Sequence, residues 1–252
     1  MNPDPEGGRL TELLALAVRA ARHGGQVCLA RLDEGVDVST KGAAGDLVTA
    51  VDRAAETAVR EVLLAARPDD SVLGEELPPQ VGNSGLQWVV DPLDGTTNFT
   101  RRIPFFATSV AVRGGDGGWL AGAVCAPALG TTWSAALGGG AYVETGSRAT
   151  ELPLVLPASS ARLVGTGLSY DADCRRRQIR GLSGLMVDFT DMRRFGAAAI
   201  DLCLVAQGSL DAFVEDDLAV HDWAAGALIA EQAGAQVRRP TNDDPAMSAR
   251  WR

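Results

Sequence analysis

Trp88-Val89-Val90-Asp91-Pro92-Leu93-Asp94-Gly95-Thr96-Thr97-Asn98-Phe99 runs an apolar strand straight into two carboxylates three residues apart. Asp91 is expected to close the strand. Pro92 has no N–H to give to a ladder and blocks further pairing, so Asp94 turns back toward Asp91 and the two share a hard cation. Gly95 permits close backbone approach, and Thr96 and Thr97 open a helix whose free N–H groups suit an anion. The segment therefore predicts a divalent cation and a phosphate side by side. The same residue types also build an Asp-Pro-x-Asp-Gly turn whose acids merely cap a helix, and other acids shift the balance. Gly74-Glu75-Glu76 follows the apolar pair Val72-Leu73, so Glu75 leaves a strand end as Asp91 does. In a parallel-rich sheet such ends line one crevice, which would bring Glu75 to Asp91. His221-Asp222-Trp223-Ala224-Ala225-Gly226 adds an acid at a helix start, with small residues behind it. Carboxylates gathered without matching basic neighbours repel one another, and bound cations are the simplest compensation.

Outward from this centre, Leu10, Leu14, Ala17, Val18 and Ala21 recur at helical spacing and predict a helix to about Leu32, with His23-Gly24-Gly25 loosening its later part. Val51, Ala55, Ala58, Val59, Val62 and Leu63 mark a second helix with Arg53, Glu56 and Arg60 on its opposite face, ended by Pro68. Lys41-Gly42-Ala43-Ala44-Gly45-Asp46 between them reads as a loop, and Lys41 is assigned no role. Val72-Leu73, Trp88 to Val90, Ala107 to Val112 and Leu120 to Val124 read as strands, and the polar stretch Glu144 to Ala149 as a join between two lobes. Leu163 to Gly167 suggests another strand, Ala197 to Gln207 a helix stopped by Gly208, and Trp223 to Ala233 a last helix. Arg175-Arg176-Arg177 reads as a solvated helix face. The coarse result is a single intermixed α/β chain.

Composition excludes several functions. The 252 residues carry 46% hydrophobic side chains and a formal net charge of −9, enough apolar matter for a core and the wrong sign for a general binder of nucleic acid or anionic membrane. No run approaches the apolar length of a spanning helix, and the N-terminus lacks secretory features, so a cytoplasmic location is expected. Cys28, Cys125, Cys174 and Cys203 are scattered and read as reduced and structural; with only His23 and His221 as histidines, a metal site must use oxygen ligands.

Taken together, Gly45-Asp46-Leu47-Val48-Thr49 with Asp52, Gly74-Glu75-Glu76, the Asp91 to Phe99 segment, Gly196-Ala197-Ala198 and Asp222 with Ala224-Ala225-Gly226 resemble the inositol monophosphatase family. This family lies within the lithium-sensitive, magnesium-dependent phosphatases, which also include fructose bisphosphatases and bisphosphate nucleotidases. The motifs follow the family order from about residue 10 to residue 237. The resemblance implies a layered αβαβα sugar-phosphatase fold of mixed α/β class, with an N-terminal lobe over about 9–144, a C-terminal lobe over about 145–237 and a tail at 238–252. It implies Mg2+-dependent hydrolysis of a phosphate monoester, with inositol 1-phosphate as the default substrate. By the same carry-over, Glu75, Asp91 and the Leu93 carbonyl hold one Mg2+; Asp91, Asp94 and Asp222 hold a second, and Glu75 helps place a weaker third. Thr96 orients the attacking water with Asp46 accepting from its hydroxyl, and the backbone N–H groups of Gly95 and Thr96 grip the phosphate. Gly196, Ala197 and Ala198 face sugar hydroxyls, and Glu215 accepts from one of them. Apart from the family, Glu215-Asp216-Asp217 reads as a solvated acidic turn.

Departures from the family pattern carry their own expectations. His221 stands where tryptophan is common, either tuning Asp222 or replacing one aromatic by another in packing. Past Ala235-Gln236-Val237 the closing strand and helix typical of the family are missing, so Arg238 to Arg252 reads as a frayed tail, which bears on the homodimer usual in the family. Thr100-Arg101-Arg102-Ile103-Pro104 places positive charge where a second anionic group of a bisphosphorylated substrate would sit, or on plain surface. Histidinol phosphate is the alternative substrate, with Thr97 counting against it where that subgroup has lysine, and a specialised sugar or nucleotide phosphate is another. Outside hydrolysis, the rivals are a binding protein on the same fold that has lost turnover and a Ca2+-holding structural module.

Overall fold

The computed structural model describes residues 5–32, 38–40, 47–157, 159–241 and 243–251. In chain order its first half forms α1 (Pro5–Arg31), β1 (Val38–Thr40), β2 (Leu47–Thr49), α2 (Ala50–Ala66), β3 (Ser71–Gly74), β4 (Gln87–Asp94), α3 (Thr96–Thr100), β5 (Ala107–Arg113), β6 (Trp119–Ala126), β7 (Thr131–Ala136), β8 (Ala141–Thr145) and β9 (Arg148–Glu151). There follow β10 (Leu163–Thr166), α4 (Ala172–Leu185), β11 (Asp191–Arg193), α5 (Ala198–Gln207), β12 (Ala212–Asp216), α6 (Val220–Gln232), β13 (Gln236–Arg238) and β14 (Ala246–Arg250).

The strands from β3 to β9 form one seven-stranded sheet in sequence order. Trp88, Val89 and Val90 are all buried, which requires cover on both faces. Trp88 and Val90 pack with Leu13, Leu16, Ala17 and Leu63 of α1 and α2, whereas Val89 packs with the α5 and α6 side. Beyond α5 and α6 lies a five-stranded sheet in the order β11-β10-β12-β14-β13. Its Phe213 enters the core with α5 and α6, so neighbouring Val214 faces the other way, toward α4 across a cavity of about 670 Å³. The layers are therefore helix, sheet, helix, sheet, helix, as the resemblance implied. Among the described residues no helix is long and apolar enough to cross a membrane, and the four cysteines are free and buried.

Several expectations need correction. The large sheet is parallel only between β3 and β4 and antiparallel elsewhere; its strands are hairpin neighbours in sequence, which favours antiparallel pairing. Gly24 and Gly25 do not loosen α1. At Gly24 the helix lies close against both α2 and β5, since a Cβ there would fall 2.7 Å from Val59 Cγ2 and 2.8 Å from Thr108 Cγ2. The polar stretch from Glu144 is not a join between lobes, because it forms the turn of the β8–β9 hairpin. The last helix starts at Val220, three residues before Trp223. The residues from Arg238 are no frayed tail: β14 lies between β12 and β13, antiparallel to both, with Met247 and Ala249 in the core. Ala246-Met247-Ser248-Ala249 has the alternation of a half-buried strand, obscured by the surrounding Asp, Pro and Arg.

Candidate active site

Parallel pairing sets Gly74 of β3 opposite Val90 of β4, so the residues that follow, Glu75 and Asp91, leave the sheet together. β4 does not close at Asp91. It continues to Asp94, and its register against β5 slips between Asp91 and Asp94, which pair with Ser109 and Ala107. Pro92 sits inside this bulge, where no ladder N–H is demanded. Asp91 Oδ1 accepts from the Leu93 N–H at 3.0 Å, the local turn its residue type favours. Asp94 Oδ2 accepts from the Ala199 N–H at 2.7 Å. It thereby caps α5, whose own N-cap, Ala197, has no side-chain oxygen to offer. Gly95 has φ +89°, and a Cβ there would meet the Phe105 carbonyl at 2.9 Å. Asn98 Nδ2 donates to the Phe105 and Phe195 carbonyls, both at 2.8 Å, tying α3 to the approach to α5.

Glu75, Asp91, Leu93, Asp94, Gly95, Thr96, Gly196, Ala197, Ala198, Glu215 and Asp222 all line one cavity of about 270 Å³. Its lining carries seven carboxylates and one guanidinium, that of Arg194. Burial first, and then the charges of Glu75, Asp94 and Asp222, push the Asp91 carboxyl well above the ordinary range. Burial and Asp222 do the same to Asp94 against the opposing Ala199 N–H. Glu215 is pushed up to about 8 by burial and Asp222, with Arg194 acting against the rise. Such an oxygen-only, charge-excess donor set fits a hard divalent cation. Among the described residues no three acidic, His or Cys side chains are drawn closely enough around one point to hold a metal ion.

Asp46 and Lys41 lie outside the described residues. Among those described, the Thr96 hydroxyl reaches Asp52 Oδ1 at 3.2 Å and the Leu93 carbonyl at 2.9 Å. Arg101 and Arg102, which follow the end of α3, are exposed and do not line the cavity; of the two readings, the structure bears out the plain surface. His221 Nε2 is 3.5 Å from Asp222 Oδ1 and 3.9 Å from Glu75 Oε2, a position against the carboxylates rather than in core packing.

Sequence reasoning missed four residues. Glu56, read as a solvent-facing helix position, is fully buried. Its carboxylate accepts from Arg60 Nε at 2.8 Å and from the N–H groups of Glu76 and Leu77 at 2.7 and 3.2 Å, fixing the turn that carries Glu75. Gly74 makes this possible, since a Cβ would fall 1.9 Å from Glu56 Oε1. Arg194 and Tyr170 line the cavity, the former just ahead of the Gly196-Ala197-Ala198 motif. Asp201 of α5 is buried with Oδ1 unpartnered among the described residues, and burial and Asp94 raise its carboxyl well above the usual range; the available signal was an acid inside the otherwise apolar run Ala197 to Val205.

A model of the inositol monophosphatase family matches residues 9–250. The chain is 43% identical over 215 residues to the inositol-1-monophosphatase of Mycobacterium leprae, covering 82% of this chain and 73% of that protein. It is 37% identical over 233 residues to the Nus factor SuhB of Salmonella typhimurium, covering 89% and 84%. The crystal structure of the extragenic suppressor protein SuhB from Bartonella henselae superposes with a TM-score of 0.84 at 32% identity, covering 94% of this chain and 93% of that one.

Proposed function

The chain belongs to the inositol monophosphatase family and is a phosphoric monoester hydrolase, and from that premise we propose that it cleaves the phosphate ester of a small cyclitol or sugar with Mg2+, inositol 1-phosphate being its substrate. The observation that carries this reading is the convergence of Glu75, Asp91, Asp94, Asp222 and Thr96 on one small cavity with Gly196, Ala197, Ala198 and Glu215. A volume of about 270 Å³ is at the small end of ligand sites and suits a phosphorylated ring better than a nucleotide. The acids that would hold Mg2+ are Glu75, Asp91, Asp94 and Asp222, with the Leu93 carbonyl. Mg2+ supplies positive charge that makes water more acidic and offsets charge on the departing oxygen.

The residues of the chain do the positioning. When the Thr96 hydroxyl gives its proton to Asp52, its lone pairs are left to accept a proton of the attacking water, which holds that water in line with the phosphorus. Asp46 stays in the proposal as the alternative acceptor for the one proton of that hydroxyl. The N–H groups of Gly95 and Thr96 face the phosphate, the backbone of Gly196 to Ala198 faces the ring, and Glu215 accepts from a ring hydroxyl. The absence of a spanning helix among the described residues accords with the cytoplasmic location proposed for the enzyme, and family membership with inhibition by lithium.

Phosphate release is measured with inositol 1-phosphate, histidinol phosphate, fructose 1,6-bisphosphate and adenosine 3′,5′-bisphosphate, each with Mg2+ and with EDTA. Turnover of inositol 1-phosphate that EDTA abolishes is expected, and turnover of histidinol phosphate alone would move the chain to that alternative. Silence on all four refutes the proposal. A second reading, a binding role beside or instead of turnover, is favoured by the name of the Salmonella relative; for hydrolysis, Asp94→Asn must abolish release.

A further inference from the structure

We propose that Tyr170 is a specificity-determining residue: with Thr97 it forms a two-hydroxyl clamp across the cavity that holds the hydroxyl-bearing part of the substrate. This rests on, and deepens, the reading of the site as a polyol-phosphate hydrolase. Tyr170 Oη lies 2.6 Å from Thr97 Oγ1, and both residues line the cavity. Thr97 lies on α3, off the end of β4 in the seven-stranded sheet, whereas Tyr170 follows β10 of the five-stranded sheet. The contact therefore bridges the two sheets at the site. The backbone beneath the phenol is fixed from α4: Arg175 Nη1 donates to the carbonyls of Ser169 and Tyr170 at 2.8 and 2.9 Å, and the Ser169 N–H donates to Gln178 Oε1 at 2.8 Å.

The chemistry follows from counting protons. Two hydroxyls bring two protons and use one between them, so the pair keeps one to give. The hydroxyl that accepts within the pair is polarised by doing so and donates more strongly. Ionised carboxylates, the form in which the acids of the lining would hold Mg2+, only accept. A polyol hydroxyl both donates and accepts, so Glu215 can serve its proton while its oxygen needs a donor. Tyr170 and Thr97 supply that donor, and Tyr170, 43% exposed as a residue, lines the open cavity.

The test compares the wild type with Tyr170→Phe, Thr97→Val and the double variant on two esters. One is inositol 1-phosphate; the other is p-nitrophenyl phosphate, whose leaving group has no hydroxyls in the ester. Each single variant is expected to raise KM for inositol 1-phosphate about three- to tenfold with kcat within about twofold, the loss of one neutral hydrogen bond. The double variant, which leaves no hydroxyl to donate, should raise KM beyond either single one but by less than the product of the two, since both changes act on one shared interaction, and p-nitrophenyl phosphate kinetics should not move. Unchanged KM values in a protein that hydrolyses inositol 1-phosphate normally would overturn the inference alone, as would equal losses on both esters. Failure of the wild type to hydrolyse either ester would overturn the functional reading and the inference with it.

Discussion

Replacing Glu56 by glutamine tests whether a residue remote from the substrate sets the geometry of Glu75. The side chain keeps its shape, so it occupies the hollow left by Gly74 without a new clash. What changes is the pattern of donors and acceptors. Glu56 Oε1 takes Arg60 Nε, and Oε2 takes the N–H groups of Glu76 and Leu77. Glutamine has one accepting oxygen, so whichever side it serves, its NH2 group faces a donor on the other. One charge-assisted interaction is lost, at about 1.5–3 kcal/mol, and the Arg60 guanidinium, only 11% exposed, loses its counter-charge. The expected cost is about 2–4 kcal/mol, rising to about 3–5 kcal/mol for Glu56→Ala, which leaves the arginine unpaired. Urea unfolding followed by tryptophan fluorescence measures this as a lower midpoint at constant slope. In parallel, the Mg2+ concentration giving half-maximal phosphate release should rise, because the pinned N–H groups belong to the two residues after Glu75. A Glu56→Gln protein within about 0.5 kcal/mol of wild type, the spread of ordinary surface substitutions, with an unchanged Mg2+ requirement would refute the reasoning.

Gly24→Ala should destabilise the protein by about 1–2 kcal/mol in the same urea assay. The helix-propensity gain of about 1 kcal/mol is outweighed by a methyl forced under 3 Å from Val59 and Thr108, both stiff β-branched side chains. Met247→Ala should cost about 2–5 kcal/mol, the range for a fully buried side chain; a cost near zero would restore the frayed tail. In EDTA, Glu215 titrates near 8 in the folded protein against an ordinary 4.5. The folded state thus holds a proton the unfolded chain has released, so this contribution is full below about 4.5 and lost as pH rises to about 8. The urea midpoint should fall between pH 5.5 and 8.5, and Glu215→Gln should flatten that fall. Mg2+ at about 100 times its dissociation constant should raise the unfolding free energy by about 2.7 kcal/mol, measured as a higher melting temperature than in EDTA; equal melting temperatures would count against the carboxylates as its ligands.

Legibility followed the reach of each signal. Trp88-Val89-Val90 announced an apolar strand, and Asp91, Asp94 and Glu75 announced their shared crevice, because strand ends and turn residues act within a few positions of themselves. Strand direction was not legible: the same crevice forms from one parallel pair, β3 with β4, inside an otherwise antiparallel sheet. β14 was hidden for a different reason. Its five residues bury only two side chains, and the partner that makes them a strand, β12, lies more than thirty residues upstream. With the closing strand and helix of the family pattern missing, the sequence reading filled the gap with a tail.

The polar residues that position the site were the least legible, and the reason is physical. A carboxylate on a helix is read as facing water unless something in the sequence supplies its partners. Glu56 finds two of its three partners in backbone N–H groups, which every non-proline residue carries and no sequence pattern marks. The hollow it needs is signalled only by the missing side chain of Gly74, and glycine before a turn has commoner explanations. Asp94 poses the same problem in reverse: the motif marks it as a ligand, yet it is also the N-terminal cap of α5, a duty invisible until Ala197 is seen to lack one. The two duties are linked. A carboxylate that must stay ionised beside other carboxylates gains from a helix N-terminus directed at it, so the same bond that starts α5 also fixes Asp94 among the acids of the cavity and holds Gly196 to Ala198 at the cavity wall. Chemistry and fold share that bond, which is why motif reading finds the acid and only the structure finds what holds it.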